Sequence, residues 1–432
     1  MNTGELYALY LQHPSVQTDT RKLKPGDIFF ALKGDNFNGN QFAKLAIEAG
    51  AAIAVIDEAA YQIPGKTVLV PDVLASLQQL ALEHRLHFNN RSVPFLAITG
   101  SNGKTTTKEL IHAVLSTTFK TYTTEGNLNN HIGVPLTLLK IRPDADIAVI
   151  EMGANHQQEI AGYCKYALPT HGLITNCGKA HLEGFGGVEG VRKGKGELFD
   201  HLRAHHGTAF VMWDDVHLQQ MSKGIPQVKS YGTIAGADIT GSIIKSDPFL
   251  EIGITKGASI LKISTQLVGD YNLPNVLAAV AVGKFFNIEE EKIRQAIEAY
   301  QPSNSRSQLI VQGSNKIILD AYNANPSSMK LAIENFARMQ ATDKVLLLGA
   351  MAELGEESEA EHKALVALIQ KYKWTEVVLV GKGFDNTLHS YHRFPEAAAA
   401  AEWLSEKQFS GTHFLVKGSR SMQMEKVLGA IK

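Results

Sequence analysis

No stretch constrains this chain more than residues 95–110, FLAITGSNGKTTTKEL. Its apolar opening is continuous enough for a buried strand, and Leu110, Ile111, Val114 and Leu115 then fall on one helical face. Between strand and helix stand Gly100, Ser101, Asn102, Gly103, Lys104, Thr105 and Thr106. Backbone N–H groups converging from a tight turn, with the positive end of a helix dipole behind them, cradle phosphate. The glycines permit the turn, Lys104 supplies a point charge for terminal phosphates, and Thr105 supplies a hydroxyl for the Mg²⁺ they carry. The usual eight-residue pattern has a glycine where this chain has Ile98, so the loop is a shortened one. Such a site alone serves a switch, a pump, a kinase or a ligase equally well.

A chain of 432 residues exceeds one ordinary core, which points to two or three domains. Up to about residue 90, DIFFAL, AAIAVID and TVLV read as strands and NQFAKLAIEAG as a helix. After the phosphate turn, DIAVIE and HGLITN are further buried strands of a parallel sheet. Between about 207 and 266, GTAFVMW, DITGSIIKS and SILKISTQL read as β excursions, and NVLAAVAVGKFF as the helix that follows. Beyond NSRSQL, strands KIILDAY, VLLLGA, EVVLVG and HFLVKG alternate with helices through SSMKLAIENFARM, EHKALVALIQKY, residues Ala397 to Trp403 and the final segment. That rhythm predicts a doubly wound domain. LGAMAELG lacks the GxGxxG spacing, which argues against a dinucleotide site there.

Composition narrows the class. Lys and Arg number 42 against 43 Asp and Glu, a net charge of −1, so nothing marks a nucleic-acid-binding surface. Cys164 and Cys177 form no CxxC and no metal spacing, as expected of ordinary thiols in a reducing cytosol. MNTGELYALYLQHPS has no signal-peptide pattern, and no apolar run is long enough for a membrane span. The expectation is a cytoplasmic protein without membrane insertion.

Three further residues are candidates for chemistry. AVIEMGANH ends a strand on Glu151, and the carboxyl ends of strands in open α/β sheets face the ligand crevice. A hard carboxylate there suits Mg²⁺, though a solvated acid also ends strands. His181 follows another strand and is flanked by the glycine-dense GFGGVEGVRKGKGELF, the composition of a backbone that approaches a ligand. Read alone, His181 fits a structural histidine, and Lys195, two residues before Glu197, fits a charged helix face.

Together these motifs resemble the Mur ligase family, ATP-dependent amide-bond ligases of peptidoglycan precursor synthesis. TDTRKLKPGDIFFALKGDNFNGNQFAKLAIEAGA is similar to the family's N-terminal UDP-sugar module, and TGSNGKTTTKE to its ATP loop. EGNLNNHIGVPLTLL and AHLEGFGGVEGVRKGKGELF resemble the central signatures. LDAYNANPSSM, LLLGAMAELGEESEAEH and VKGSRSM resemble the branch that adds D-alanyl-D-alanine.

The resemblance implies an α/β chain of three domains. These are a small N-terminal α/β domain over 1–90, a central P-loop parallel-sheet ATPase domain over 91–311, and a C-terminal Rossmann-like domain over 312–432 that closes on ATP. It implies a monomer that joins D-alanyl-D-alanine to UDP-N-acetylmuramoyl-tripeptide, with ATP and two Mg²⁺. Lys104 and Thr105 would handle the phosphates and first metal with Glu151; His181 would serve a second metal. Lys195 matches the lysine the family carbamylates, turning a cation into a carboxylate surrogate, with Lys193 the competing candidate. Asn275 matches the adenine-contacting asparagine, and Arg306 and Asp320 the ATP-contacting positions at the entry to the third domain, with Asn323 and Asn325 in the same motif. Thr20 and Arg21 match the UDP-substrate motif, and Asn127, Asn129 and Asn130 the central substrate motif. The chain departs from the usual pattern at Asn38 and Asn40, in the run Gly269-Asp270-Tyr271-Asn272 that lacks a histidine, at Ser305 and at Ala350. No residue is marked as a general base. Two other readings stay open: a sister ligase adding a single amino acid, and a P-loop switch or regulatory ATPase, which leaves the outer domains unexplained.

Overall fold

Apolar strands joined by amphipathic helices have to pair in parallel and cover both sheet faces, and three sheets of this kind organise the chain. A computed structural model gives the architecture for residues 1–89, 92–303 and 305–431. The expected boundary between residues 90 and 91 lies outside the described residues.

The first sheet has four parallel strands, Val16–Gln17, Ile28–Phe30, Ile53–Ile56 and Thr67–Leu69, in chain order. The second has nine strands. Phe95–Thr99 lies inside it, flanked by His171–Ile174 and Ile147–Glu151, and both pairings are parallel. The chain leaves Phe95–Thr99 toward one edge of the sheet and returns on the other side at His171. That reversal opens a crevice at the strands' carboxyl ends. The β excursion pairs antiparallel at the far edge, where SILKISTQL contributes only Ile263–Ser264.

The third sheet has six strands. Asn315–Asp320, His413–Lys417, Lys344–Gly349, Glu376–Val380 and His392–Phe394 are parallel neighbours in that order. Gln308–Gln312 pairs antiparallel with Asn315–Asp320, so this strand, ahead of residue 312, belongs to the third sheet.

Helix Lys104–Leu115 buries Leu110, Ile111, Val114 and Leu115 as the periodicity predicts. The last segment differs from expectation. Met424–Ala430 is a 3₁₀ helix, and its buried residues Met424, Val427 and Ala430 recur every third position, the spacing that aligns side chains at three residues per turn. One continuous apolar core runs from Leu6 to Leu415, through residues of all three sheets.

Candidate active site

The phosphate turn is built as its sequence requires. Ile98 is fully buried inside strand Phe95–Thr99, which is why position 98 needs no glycine: the loop begins after the strand. Gly103 has φ +79°, and a Cβ there would lie 2.7 Å from Asn275 Oδ1, so the turn demands glycine twice over. Ser101 N–H donates to Asn176 O at 2.9 Å, and Thr175 Oγ1 donates to Asn102 O at 2.6 Å, tying the loop to the end of the next strand. Lys104 Nζ donates to Gly100 O at 2.7 Å within the turn. Burial pushes the Lys104 pKa down, Glu151 opposes that shift and Arg306 adds to it. Thr106 follows in the helix's first turn.

Glu151 occupies the carboxyl end of its strand and is only 1% exposed. Thr105 Oγ1 donates to Glu151 Oε2 at 2.9 Å, and Asn129 Nδ2 donates to Oε1 at 2.7 Å. A buried carboxylate survives only when its lone pairs are met, and these two donors also aim it at the turn. The hydroxyl–carboxylate pair matches what Mg²⁺ takes from proteins: one or two hard oxygens, the remainder coming from phosphate and water. Asn130 Oδ1 accepts from Gly133 N–H at 2.8 Å where helix Gly133–Lys140 begins, while the Asn127 side chain is exposed.

Lys195 is 1% exposed in helix Val188–Ala204, so it is no solvated helix face, whereas Lys193 is exposed. Its Nζ donates to Ala154 O at 2.9 Å and lies 4.8 Å from the Phe185 ring centroid. Burial, then the Lys104 charge, pull its pKa down to about 7, so the amine is substantially neutral near pH 7. The glycine-dense segment is mostly this helix and not a ligand-approaching loop. A Cβ on Gly190 would meet Phe185 O at 1.8 Å and one on Gly194 would meet the Phe185 ring at 2.5 Å, so these glycines serve close packing.

His181 has φ +52° and places Nδ1 2.7 Å from Glu353 Oε2, on the third-sheet side. Contact with His181 holds the Glu353 carboxyl below its usual range. Among the described residues, no group of three or more His, Cys, Asp or Glu converges as a metal cage.

Further contacts seat the third sheet's unit on the phosphate turn. Asn325 Nδ2 donates to Asn102 Oδ1 at 2.8 Å, Lys179 N–H donates to Ser327 Oγ at 3.0 Å, and Lys179 pairs with Glu361. Arg338 reaches Asp270 at 2.9 Å, and Tyr271 Oη lies 2.9 Å from Ser307 Oγ. Arg306 stacks 3.6 Å over the Tyr322 ring. Asp320 accepts from Ser307 N–H at 3.1 Å and from the buried Lys417 at 2.5 Å; Asn323 Oδ1 accepts from Ala324 N–H at 2.9 Å. Asn275 is buried beneath the turn, accepting from Thr107 Oγ1 at 3.0 Å and donating to Asn272 at 2.9 Å.

Thr20 and Arg21 stand apart from this cluster, on the 3₁₀ turn Thr20–Lys22 beside the first sheet. Arg21 is exposed and paired with Asp19 at 2.9 Å, which holds the Asp19 carboxyl down at about 2. Motif reading overlooks Glu353, Ser327 and Lys417. All three lie inside quoted motifs, Ser327 in LDAYNANPSSM, Glu353 in LLLGAMAELGEESEAEH and Lys417 in VKGSRSM, but no role is legible for them there.

This arrangement can hold a nucleotide triphosphate between two α/β units with a carboxylate–hydroxyl pair at its phosphates. Comparison with known proteins agrees in all three segments. Residues 14–85 match the model described as Mur ligase family, catalytic domain; residues 98–283 match Mur ligase middle domain; residues 305–420 match Mur ligase, glutamate ligase domain. The chain is 35% identical over 427 residues to the UDP-N-acetylmuramoyl-tripeptide–D-alanyl-D-alanine ligase of Bacillus subtilis (strain 168), covering 96% of this chain and 92% of that protein. It superposes on a crystal structure of MurF from Acinetobacter baumannii with TM-score 0.86 at 31% identity, covering 96% of this chain and 92% of the other. MurF ligase from Thermotoga maritima in complex with ADP gives TM-score 0.86 at 25% identity, with 97% of each chain covered.

Proposed function

Because this chain belongs to the Mur ligase family, we propose that it joins D-alanyl-D-alanine to UDP-N-acetylmuramoyl-tripeptide at the expense of ATP, as a cytoplasmic monomer. The observation that carries the reading is the phosphate turn closed from the other side by Asn325, with the Thr105–Glu151 pair beside it. A switch or simple ATPase has no need for the first and third units; a ligase uses them to present an acid and an amine.

The charges set the order of steps. The tripeptide's terminal carboxylate and the γ-phosphate are both anionic, so their approach requires positive charge at the turn. Lys104 and the backbone N–H groups of residues 103–105, at the start of helix Lys104–Leu115, supply part of it. Mg²⁺, when bound at Thr105 and Glu151, neutralises phosphate charge and polarises the transferring phosphoryl group. A carboxylate oxygen bonds to the γ-phosphorus as the bond to the β-phosphate oxygen breaks, giving ADP and an acyl phosphate. The D-alanyl-D-alanine amine then adds to the acyl carbon, loses a proton, and expels phosphate with that same oxygen. Water would consume the acyl phosphate, so the contacts of Asn325, Ser327 and Glu353 would exclude it.

Lys195 fits carbamylation better than it fits a cationic role. A neutral amine adds CO₂, releasing a proton and leaving a carboxylate beside the Lys104 charge, which disfavours a second cation and attracts an anion. Such a carboxylate would offer hard oxygens to a second Mg²⁺, with His181 serving the same ion. Thr20, Arg21, Asn127 and Asn129 serve the UDP-tripeptide side, and Asn275, Arg306, Asp320 and Asn323 the nucleotide side.

The deciding experiment incubates the purified protein with ATP, Mg²⁺ and UDP-N-acetylmuramoyl-tripeptide, then adds D-alanyl-D-alanine or single amino acids. Mass spectrometry should show the pentapeptide only with the dipeptide. A product with a single amino acid instead, or phosphate release without any new amide, contradicts the reading.

A further inference from the structure

A cavity of about 570 Å³ lies on the seam between the N-terminal helix Thr3–Gln12, the end of helix Val73–Leu86 and the segment after helix Gly133–Lys140. None of the reaction chemistry above uses it. Its walls are flat rings. Tyr7 stacks on His87 with centroids 4.5 Å apart and planes 27° apart, Tyr10 lies 5.8 Å from Tyr7 at 29°, and Phe88 is buried alongside. One cation, Arg142, reaches its edge. Among the described residues the Arg142 guanidinium makes no ion pair, and the neighbouring acid Asp144 is taken by Lys120 and Tyr122. A mainly apolar cavity of this size with one convergent charge is the usual form of a small-molecule site.

The lining also grips a helix that ends at the reaction centre. Tyr10 Oη donates to Leu139 O, and His84 Nε2 donates to Ile141 O at 2.8 Å, so both hold carbonyls at the carboxyl end of helix Gly133–Lys140. Tyr7 Oη completes the set at 3.2 Å from His84 Nδ1. At the other end of this helix, about 12 Å away at 1.5 Å per residue, Asn130 accepts from Gly133 N–H and Asn129 holds Glu151 Oε1.

We infer that this seam is an effector site for a planar aromatic anion, one bicyclic ring and one carboxylate in size, coupled through helix Gly133–Lys140 to Glu151. The aromatic body lies against the ring-lined wall, and Arg142 pairs with the carboxylate. Moving Tyr10 or His84 shifts the carbonyls they hold, and with them the Asn129–Glu151 contact at the nucleotide phosphates. By linkage, occupancy of one site then changes affinity at the other by the same factor.

The test uses 2-naphthoate as probe with the full-length protein, by isothermal titration and ligand-observed NMR, with and without saturating ADP and Mg²⁺. Expected are saturable binding with Kd of about 1 mM or tighter, and a shift of roughly threefold or more when ADP is present. Uncharged 2-naphthamide should bind at least about tenfold more weakly. Arg142→Gln should weaken naphthoate by a similar factor while leaving naphthamide unchanged, and Leu11→Trp, at an exposed rim position, should block both. Absence of saturable binding, equal affinity for the amide, or indifference to both substitutions overturns the site. Binding that ADP does not alter overturns the coupling. Neither readout requires amide ligation, so failure here is distinct from failure of the proposed reaction.

Discussion

Asn325 does two jobs with one side chain. Its Nδ2 donates to Asn102 Oδ1 at 2.8 Å, across from the third sheet to the phosphate turn, while its Oδ1 accepts from Ser328 N–H at 2.9 Å and caps helix Pro326–Arg338. The fold of one unit and its docking on the other therefore share a residue.

Asn325→Ser separates the two roles. Serine caps a helix about as well as asparagine but is too short to reach Asn102. The unfolding free energy should stay within about 0.5 kcal/mol of wild type, and kcat should fall by roughly tenfold or more through loss of alignment. Thermal melts and phosphate-release kinetics check both. A fall in stability with unchanged kcat would assign Asn325 to the fold alone.

Glu151→Gln keeps a side chain of the same shape between Thr105 and Asn129, removes its charge and turns one of its two acceptor oxygens into an N–H donor. The variant should fold, lose about 100-fold or more in kcat, and need higher Mg²⁺ for half-maximal rate. Phosphate release measured against Mg²⁺ concentration tests this, and a near-normal rate with unchanged Mg²⁺ dependence counts against a metal role.

Lys195 carries a pH signature. Its amine titrates near about 7 in the folded protein against an ordinary 10.5. A base with a lowered folded pKa leaves the unfolded chain holding the extra proton between those values. Stability therefore rises with pH across that window and reaches its lower plateau below about 7. In CO₂-free buffer, Lys195→Met should be more stable than wild type at pH 7, by roughly 1–3 kcal/mol, and the difference should narrow by pH 9. With ¹³C-bicarbonate, the wild type alone should show a carbamate resonance, lost on acidification below about pH 7. Its absence under turnover conditions removes the carbamate.

His181 and Glu353 meet between the two units. Glu353 has its pKa lowered, so its carboxylate contributes stability above the ordinary carboxylate range that is lost as pH falls through the depressed value. Glu353→Gln should change global stability by less than about 1 kcal/mol, since the carboxylate is half exposed. A double-mutant cycle with His181→Ala should nonetheless show coupling of about 0.5 kcal/mol or more in kcat/KM. Strict additivity would mean the contact has no part in turnover.

Much of the site was legible because its parts are local. A buried strand, two glycines, a lysine and threonine within one turn announce a phosphate cradle, and Glu151 ends the neighbouring strand. Reading the later alternation as doubly wound followed from strand and helix periods alone. Contacts across the chain carried no such mark. Asn102 and Asn325 are 223 residues apart, and nothing in either stretch names the other. Lys195 looked like a solvated charge because sequence shows spacing, not the packing of Gly190 and Gly194 that buries its helix. The same limit hid the glycine-rich segment's helical form and the 3₁₀ ending, where a three-residue burial period stood in for a helical one.

The central claim is that an acid is phosphorylated at the turn before the amine reaches it, and oxygen bookkeeping tests it most directly. UDP-N-acetylmuramoyl-tripeptide carrying ¹⁸O in its terminal carboxylate, turned over with ATP, Mg²⁺ and D-alanyl-D-alanine, should deliver one ¹⁸O into each released phosphate and leave the other in the new amide. Released phosphate free of ¹⁸O, alongside normal pentapeptide formation, would contradict the account.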